Sequence, residues 1–519
     1  NVKDMLMSVP IPTKPTTSPE TIKIGQRIAG LREAKQLTQS ALAKLLGTSQ
    51  SAVARMEKGD QNISTRMLVK VGEVLEADII GLPSHGLNFK IEGGHKLSGT
   101  VTTNTSKNSA VVMLCAALLN RNTTTLKRMP RIEEVNRVIE VLESLGVQVK
   151  WQGSDVVITP PKRLKMDSIN VKAAVKTRSV LLLLGPLVHL LDEFNLPQAG
   201  GCHLGARTVR PHLYALEKFG VAIEAKTQRY EVTAGKLKAA EVVLYESGDT
   251  VTENALMVAA RLPGLTTIKF ASANYMVQDL CIFLQALGVR IEGIGTSTLR
   301  VWGRPSINKP VSYGISEDPI ESMLFLTAAI MTKSQITIKR CPIEFLELEL
   351  LKLEKMGFQY TRSDKYPAAN GYTWLVDLET FPSKLTALEE KIHPSIYPGL
   401  NMDNLPFFVP IATQAKGQTL IHDWPYENRA IYYMELTKLS AELILADPHR
   451  VFVNGPSKLR AAEVICPPAL RPAAIILIAM LAAQGTSILR NVYSINRGYE
   501  DLYARLNSLG ADIQVLREL

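Results

Sequence analysis

Six times along this chain a helix end runs directly into a strand, at a spacing near 70 residues. The segments are Leu145-Gly-Val-Gln-Val149, Phe219-Gly-Val-Ala-Ile223, Leu287-Gly-Val-Arg-Ile291, Met356-Gly-Phe-Gln-Tyr360, Leu439-Ser-Ala-Glu-Leu443 and Leu509-Gly-Ala-Asp-Ile513. Glycine lacks a Cβ and so enters, at little steric cost, the left-handed conformation that ends a helix; serine stands there once. Upstream of five of these markers lies a short strand led by Thr, Gln or Ser, as in Leu265-Thr-Thr-Ile268 and Gln335-Ile-Thr-Ile338. Six copies of one strand–helix–strand unit predict a globular α/β body, because a period of about 70 is too long for a stacked solenoid.

That body starts after a break at Gly81-Leu-Pro-Ser-His-Gly86. Residues 1–20 carry four prolines and read as a disordered leader. Between them, apolar residues recur at helical spacing: Ile24, Ile28 and Leu31, then Leu42, Leu45 and Leu46, Val53 and Met56, and Leu68, Val71 and Leu75. Small Ala43 allows a close helix crossing, Gly47 a turn, and Thr48 or Ser49 an N-cap. This pattern resembles the lambda-repressor/Cro-like helix-turn-helix family over residues 22–80. The resemblance implies that Gln39 holds a phosphate at a helix N-terminus and that Gln50, Ser51 and Arg55 enter the major groove. Nine Lys/Arg against six Asp/Glu in residues 21–84 suit a DNA-facing surface.

Composition narrows the remaining classes. A chain that is 46% hydrophobic and 21% charged is ordinary for a globular protein, and its net charge of +10 invites an anionic partner without identifying one. Five scattered cysteines (115, 202, 281, 341 and 466) with no Cys-x-x-Cys pair argue against a disulfide framework or zinc site, and for a reducing compartment. No apolar run is long and uninterrupted enough to span a bilayer, which needs ~20 residues, and no secretion signal opens the sequence. The expectation is a soluble cytoplasmic protein without metal or cofactor.

The chemistry concentrates around Gly200-Gly-Cys202-His-Leu-Gly-Ala-Arg207, a thiol in a glycine-rich loop with a cation five residues on. Taken alone, the loop reads equally as a reactive thiolate beside Arg207 or as a tight turn around a buried cysteine. Four further islands follow the same order along the chain: Ser106-Lys107-Asn108, Val175-Lys-Thr-Arg178 before Leu184-Gly-Pro-Leu187, Ser316-Glu-Asp318-Pro-Ile-Glu321, and Glu427-Asn-Arg429. Together they resemble the UDP-N-acetylglucosamine enolpyruvyl transferase family over residues 87–519. The resemblance implies a two-lobed, inside-out α/β barrel of six strand–helix modules. Lobe one would hold residues 87–105 and about 279–519, and lobe two about 106–278.

It also implies roles. Lys107, Asn108, Arg207 and Arg429 would bind phosphoenolpyruvate, Cys202 would deliver a proton to its methylene carbon, and Asp318 would take the proton of the sugar 3-hydroxyl. Arg178, Arg207, Thr208, Val209, Arg210, Pro211, His212, Leu244, Tyr245, Glu246, Ser247, Asp318 and Arg340 would contact the UDP-sugar. Four departures from the family pattern stand out. Arg210 replaces an acid, Asn401 or Asp403 occupies the place of an aspartate, Ala469 precedes Leu470-Arg471, and Asn496 stands before Arg497-Gly-Tyr. Three readings therefore compete: transfer to UDP-N-acetylglucosamine, transfer to another nucleotide acceptor, and a ligand-sensing regulator with a retired enzyme body. Dimerisation is expected if operator half-sites are read in pairs.

Overall fold

The computed structural model describes residues 19–35, 37–60, 63–75, 87–198 and 208–517. The chain divides into two compact units, residues 1–85 and 86–519.

Four helices make up the first unit: Pro19–Ala34, Gln39–Leu46, Gln50–Lys58 and Thr65–Leu75. Their core is Ile28, Leu42, Ala43, Leu46, Val53, Leu68, Val71 and Leu75, all but Ala43 among the residues the helical spacing selects; Leu45, selected with them, is exposed. The Thr38 and Ser49 side chains cap the second and third helices, and Gly47 turns between them at φ 64°. A buried ion pair from Arg32 Nε to Glu57 Oε1 at 2.5 Å locks the first helix to the third.

The described residues of the second unit form six sheets. Five of them repeat one order, in which a parallel strand lies beside a core strand that pairs antiparallel with the second arm of a hairpin. Val311–Gly314, Thr124–Lys127, Asp155–Thr159 and Gln148–Gln152 form one such sheet, and Glu241–Val243, Leu265–Lys269, Thr298–Trp302 and Arg290–Glu292 another. Ser98–Thr102 with Gln335–Pro342, Trp374–Phe381 and Gln359–Arg362 repeats it, as does Leu385–Thr386 with Ala415–His422, Arg450–Gly455 and Glu442–Asp447. In the fifth, the N-terminal strand Leu87–Gly93 supplies the inner hairpin arm between Gly485–Arg490 and Asp512–Arg517. The sixth, Glu193–Pro197, Arg229–Ala234 and Val221–Ala225, has no parallel partner among the described residues.

Helices fill the inside and sheets face outward. Every residue of Pro319–Met331 is buried, and Leu470–Ala482 is nearly so; these two pack on each other and on Phe408–Ala412. Lys107–Ala116, Asp249–Ala259 and Tyr275–Ala286 form the corresponding interior of the other half. Such helices are apolar all round because sheet or helix surrounds them on every side.

All six marker residues sit in the left-handed region: Gly146, Gly220, Gly288, Gly357, Ser440 and Gly510, at φ between 64° and 97°. One expectation is corrected. Residues 279–314 do not belong with lobe one, because Arg290–Glu292 and Thr298–Trp302 pair onto Leu265–Lys269, and Val311–Gly314 onto Thr124–Lys127. By strand pairing, the return crossing lies at residues 315–318. Exposed Ser440 bears a conformational cost of about 1 kcal/mol that glycine avoids. Ser440→Gly should therefore raise the thermal midpoint by about 1–2 °C. Gly357→Ala should lower it, since a Cβ there would meet Lys384 O at 2.9 Å.

Candidate active site

Between the two sets of helices lies a cavity of about 220 Å³. One wall comes from Lys107, Asn108, Glu134, Ser179, Asp249 and Glu253, the other from Asn401, Asp403, Tyr426, Arg429, Arg471 and Arg497. Lys107, Arg429 and Arg471 are each held by a specific partner. Lys107 opens the helix Lys107–Ala116, which Ser106 caps, and its Nζ donates to Glu134 Oε2 at 3.0 Å. Burial opposes ionisation of Glu134, yet Lys107 and Arg497 pull its carboxyl down to about 2. Arg429 is almost fully buried and forks onto Asp423, with Nε to Oδ2 at 2.6 Å and Nη2 to Oδ1 at 2.7 Å. Its guanidinium also stacks on Tyr426 at 4.0 Å. Arg471 donates to Tyr499 Oη at 2.6 Å and to Asp403 Oδ2 at 3.2 Å. Arg497 has its Nε buried without a hydrogen-bond partner among the described residues.

Asp403 is the carboxylate of this arrangement. Burial pushes its carboxyl up, but Arg471 and then Arg429 outweigh that and hold it below the ordinary value. Across the cavity, burial raises the carboxyl of Glu253 well above its usual range and that of Asp249 less steeply. The site thus offers two carboxylates held low among cations, Glu134 and Asp403, and a buried acid, Glu253, pushed up by burial.

The expected site residues divide into three groups. Lys107, Asn108 and Arg429 come together in the cavity. Cys202 and Arg207 lie outside the described residues. The others sit elsewhere or at its margins. Asp318 is not in the cavity wall; it is the N-cap of Pro319–Met331, its Oδ1 accepting from Ile320 N at 2.8 Å. Burial lifts its carboxyl to about 6 despite nearby Arg471. Arg340 does not line the cavity either; its guanidinium lies on Glu317, with Nε to Oε1 at 2.8 Å. Buried His212 ties two helices together through Thr250 and Asn254, and burial, then Arg178, lowers it to about 4. Arg178 donates to Thr208 O at 3.2 Å. Thr208 and Arg210 are exposed, Val209 is half-buried, and Pro211 is buried. Leu244 is buried, whereas Tyr245 and Glu246 are exposed. Ser247 lines a second cavity of about 80 Å³, which shares Asp249, Asn274, Asn401 and Met402 with the first. Sequence reasoning gave no role to Arg471, Arg497, Glu134 or Asp249. The signal for Arg471 was a lone cation in the first turn of an apolar helix.

In the helix-turn-helix unit, Gln50, Ser51 and Arg55 are exposed along Gln50–Lys58. Gln39 is half-buried; its Nε2 donates to Glu57 Oε2 at 2.8 Å, and its Oε1 accepts from Gln50 Nε2 at 2.6 Å.

The chain belongs to the enolpyruvyl transferases: residues 91–506 match the family EPSP synthase (3-phosphoshikimate 1-carboxyvinyltransferase), and residues 28–82 match a helix-turn-helix family. It is 34% identical to the UDP-N-acetylglucosamine 1-carboxyvinyltransferase of Bradyrhizobium diazoefficiens, over 83% of this chain and 99% of that protein. Against the protein of the same name from Porphyromonas gingivalis the figures are 32%, 83% and 100%. In fold it is similar to the enolpyruvyl transferase NikO from Streptomyces tendae, with a TM-score of 0.70 at 24% identity over 84% of this chain and all of that one. An EPSP synthase from Acinetobacter baumannii gives 0.64 at 16% identity, over 83% of this chain and all of that one. No helix among the described residues is long and apolar enough to cross a membrane.

The second cavity carries a pH prediction. Burial raises Glu349, which lines it, to about 7, while Asn404 Nδ2 and Asn401 N donate to its Oε1. A carboxyl raised on folding binds more protons folded than unfolded, so its contribution to stability falls as pH rises from about 4.5 to 7. Glu349→Gln keeps the acceptor oxygen and removes that titration. It should be more stable than the parent at pH 8, by up to about 3 kcal/mol, and nearly equal to it at pH 5 by urea denaturation.

Proposed function

We propose that the body transfers the enolpyruvyl group of phosphoenolpyruvate to the 3-hydroxyl of UDP-N-acetylglucosamine, releasing phosphate, as the cytoplasmic first committed step of peptidoglycan synthesis. The observation that carries this reading is the cation set Lys107, Arg429, Arg471 and Arg497 around one cavity with Asp403 ionised among them. A substrate with both a phosphate and a carboxylate suits such a set.

In this mechanism Asp403 accepts the acceptor's hydroxyl proton as that oxygen bonds to C2 of the enol, and C3 gains a proton from an acid, the role proposed for Cys202. The C2–O bond to phosphate then breaks, C3 loses a proton, and the double bond re-forms in the product. Assigning the base to Asp403 moves it from Asp318, whose Oδ1 is taken up by a helix cap and which lies outside the cavity wall. The cations stabilise the departing phosphate by fixed charge in a site shielded from water. The helix-turn-helix unit binds DNA through Gln50, Ser51 and Arg55, with Gln39 bracing Gln50. Exposed Arg210, and the hydrogen bond from Asn401 Nδ2 to Asn274 Oδ1 at 3.1 Å, favour a second reading in which the acceptor is a different nucleotide.

Phosphate release from phosphoenolpyruvate plus UDP-N-acetylglucosamine tests the first reading. Asp403→Asn should lower kcat by about a thousandfold. Asp318→Asn should leave kcat within about tenfold while costing about 1 kcal/mol of stability through its cap. The reverse ranking returns the base to Asp318, and no release despite nucleotide binding points to another acceptor or to a sensor. For the fused unit, Arg55→Ala should weaken binding to an operator selected from random DNA by about tenfold or more; unchanged binding would mean the helix serves protein contacts.

A further inference from the structure

Among the described residues two stretches of backbone pass between the lobes, 103–106 and 315–318, and they hydrogen-bond to each other. Thr105 bridges Glu317, Ser106 N donates to Ser316 O at 2.8 Å, and Asp318 N donates to Asn104 O at 2.9 Å. The Glu317 carboxylate at this junction is completely buried. Its Oε1 accepts from Arg128 Nη2 and from Arg340 Nε and Nη2, the last at 2.5 Å, while its Oε2 has no partner among the described residues.

The two arginines come from opposite lobes and from matching places in the repeat. Arg128 follows the core strand Thr124–Lys127, and Arg340 sits in the irregular turn of the core strand Gln335–Pro342. Both are left-handed, at φ 53° and 63°. Each is anchored to its own sheet by its backbone N–H: Arg128 N to Asp155 Oδ1 at 2.9 Å, Arg340 N to Asp377 Oδ1 at 3.0 Å. Asp155 and Asp377 lie on the matching hairpin arms of the two sheets. In addition, Arg128 O accepts from Thr105 Oγ1 at 2.5 Å, so the lobe-two arm also grips the crossing strand that leads into Lys107.

We infer that Glu317 is a positioning residue for the transfer reaction, a shared anchor on which one arginine from each lobe fixes the angle of the cleft. Neither arm can follow its own lobe outward without leaving the buried carboxylate, and breaking a buried ion pair from one side is strongly unfavourable. The junction therefore favours the arrangement in which Lys107 and Asn108 of lobe two face Asp403, Arg429 and Arg471 of lobe one. Loss of the latch lowers the fraction of molecules that can bind, which raises KM and spares kcat at saturation.

The kinetic half of this inference rests on the transferase reading; the conformational half does not. Glu317→Gln keeps shape and acceptor but removes the charge, and Arg128→Gln detaches one arm from a side chain that is about one-third exposed. Spin labels carried on ketone side chains at exposed Lys226 and Lys416, one in each lobe, report the interlobe distance in the full chain without substrate. Both variants should give a longer and broader distance distribution than the parent. With substrates, KM should rise about tenfold and kcat stay within about twofold, and the double variant should be no worse than Glu317→Gln alone. Unchanged distances and KM in the folded variants would overturn the inference. Should Glu317→Gln fail to fold, Arg128→Gln decides the matter in the same way, and should the parent prove inactive, the distances still decide.

Discussion

A carboxylate buried where the chain crosses between two lobes, with a guanidinium from each lobe on one of its oxygens, is the interaction on which the cleft depends. The crossing strands swap as they pass. Ser98–Thr102 completes a sheet of lobe one before the chain enters lobe two at Lys107, and Val311–Gly314 completes a sheet of lobe two before the chain returns at Pro319. Each lobe is thereby closed by a strand next to the crossing, and the helices that follow, Lys107–Ala116 and Pro319–Met331, run into opposite interiors. Other buried carboxylates reinforce the joint. Asp279 accepts from Tyr313 Oη at 2.6 Å within lobe two and from Asn370 Nδ2 at 3.0 Å across from lobe one. Glu321 accepts from Asn104 N at 2.6 Å and from Arg505 Nη1 at 2.5 Å.

This construction explains why the cavity can be so highly charged. Lys107, Arg429 and Arg471 are each neutralised by an acid on their own lobe: Glu134, Asp423 and Asp403. These three charges are thus paired within each half before the halves meet, while Arg497 of lobe one acts on Glu134 across the cavity. Closing such a site strengthens every electrostatic contact in it by excluding water.

Much of the fold was legible because the repeat writes its punctuation locally. The left-handed helix ends need glycine, and six of them in register reveal six modules, even where Ser440 breaks the rule. The lobe boundary was not legible at 279, since the pairing of Arg290–Glu292, Thr298–Trp302 and Val311–Gly314 is decided by neighbours distant in sequence. The same limit governs the site. Lys107 and Asn108 announce themselves by position at a helix start. Asp318 and Asp403 look alike in the sequence, but the first turn of an apolar helix captures Oδ1 of Asp318 whereas Arg471 and Arg429 flank Asp403. Arg471 and Arg497 stand beside two departures from the family pattern, Ala469 and Asn496, and only the meeting of lobes turns them toward a cavity.

We propose that this cavity carries out addition and elimination at the enol carbon. Running the reaction with phosphoenolpyruvate and UDP-N-acetylglucosamine in heavy water, and reading the product's vinyl hydrogens by proton NMR, tests it most directly. Protonation at C3 makes a freely rotating methyl group, so elimination should leave deuterium in the product's methylene. Product free of deuterium would contradict the mechanism, and the absence of any product would contradict the assignment of this acceptor to the cleft.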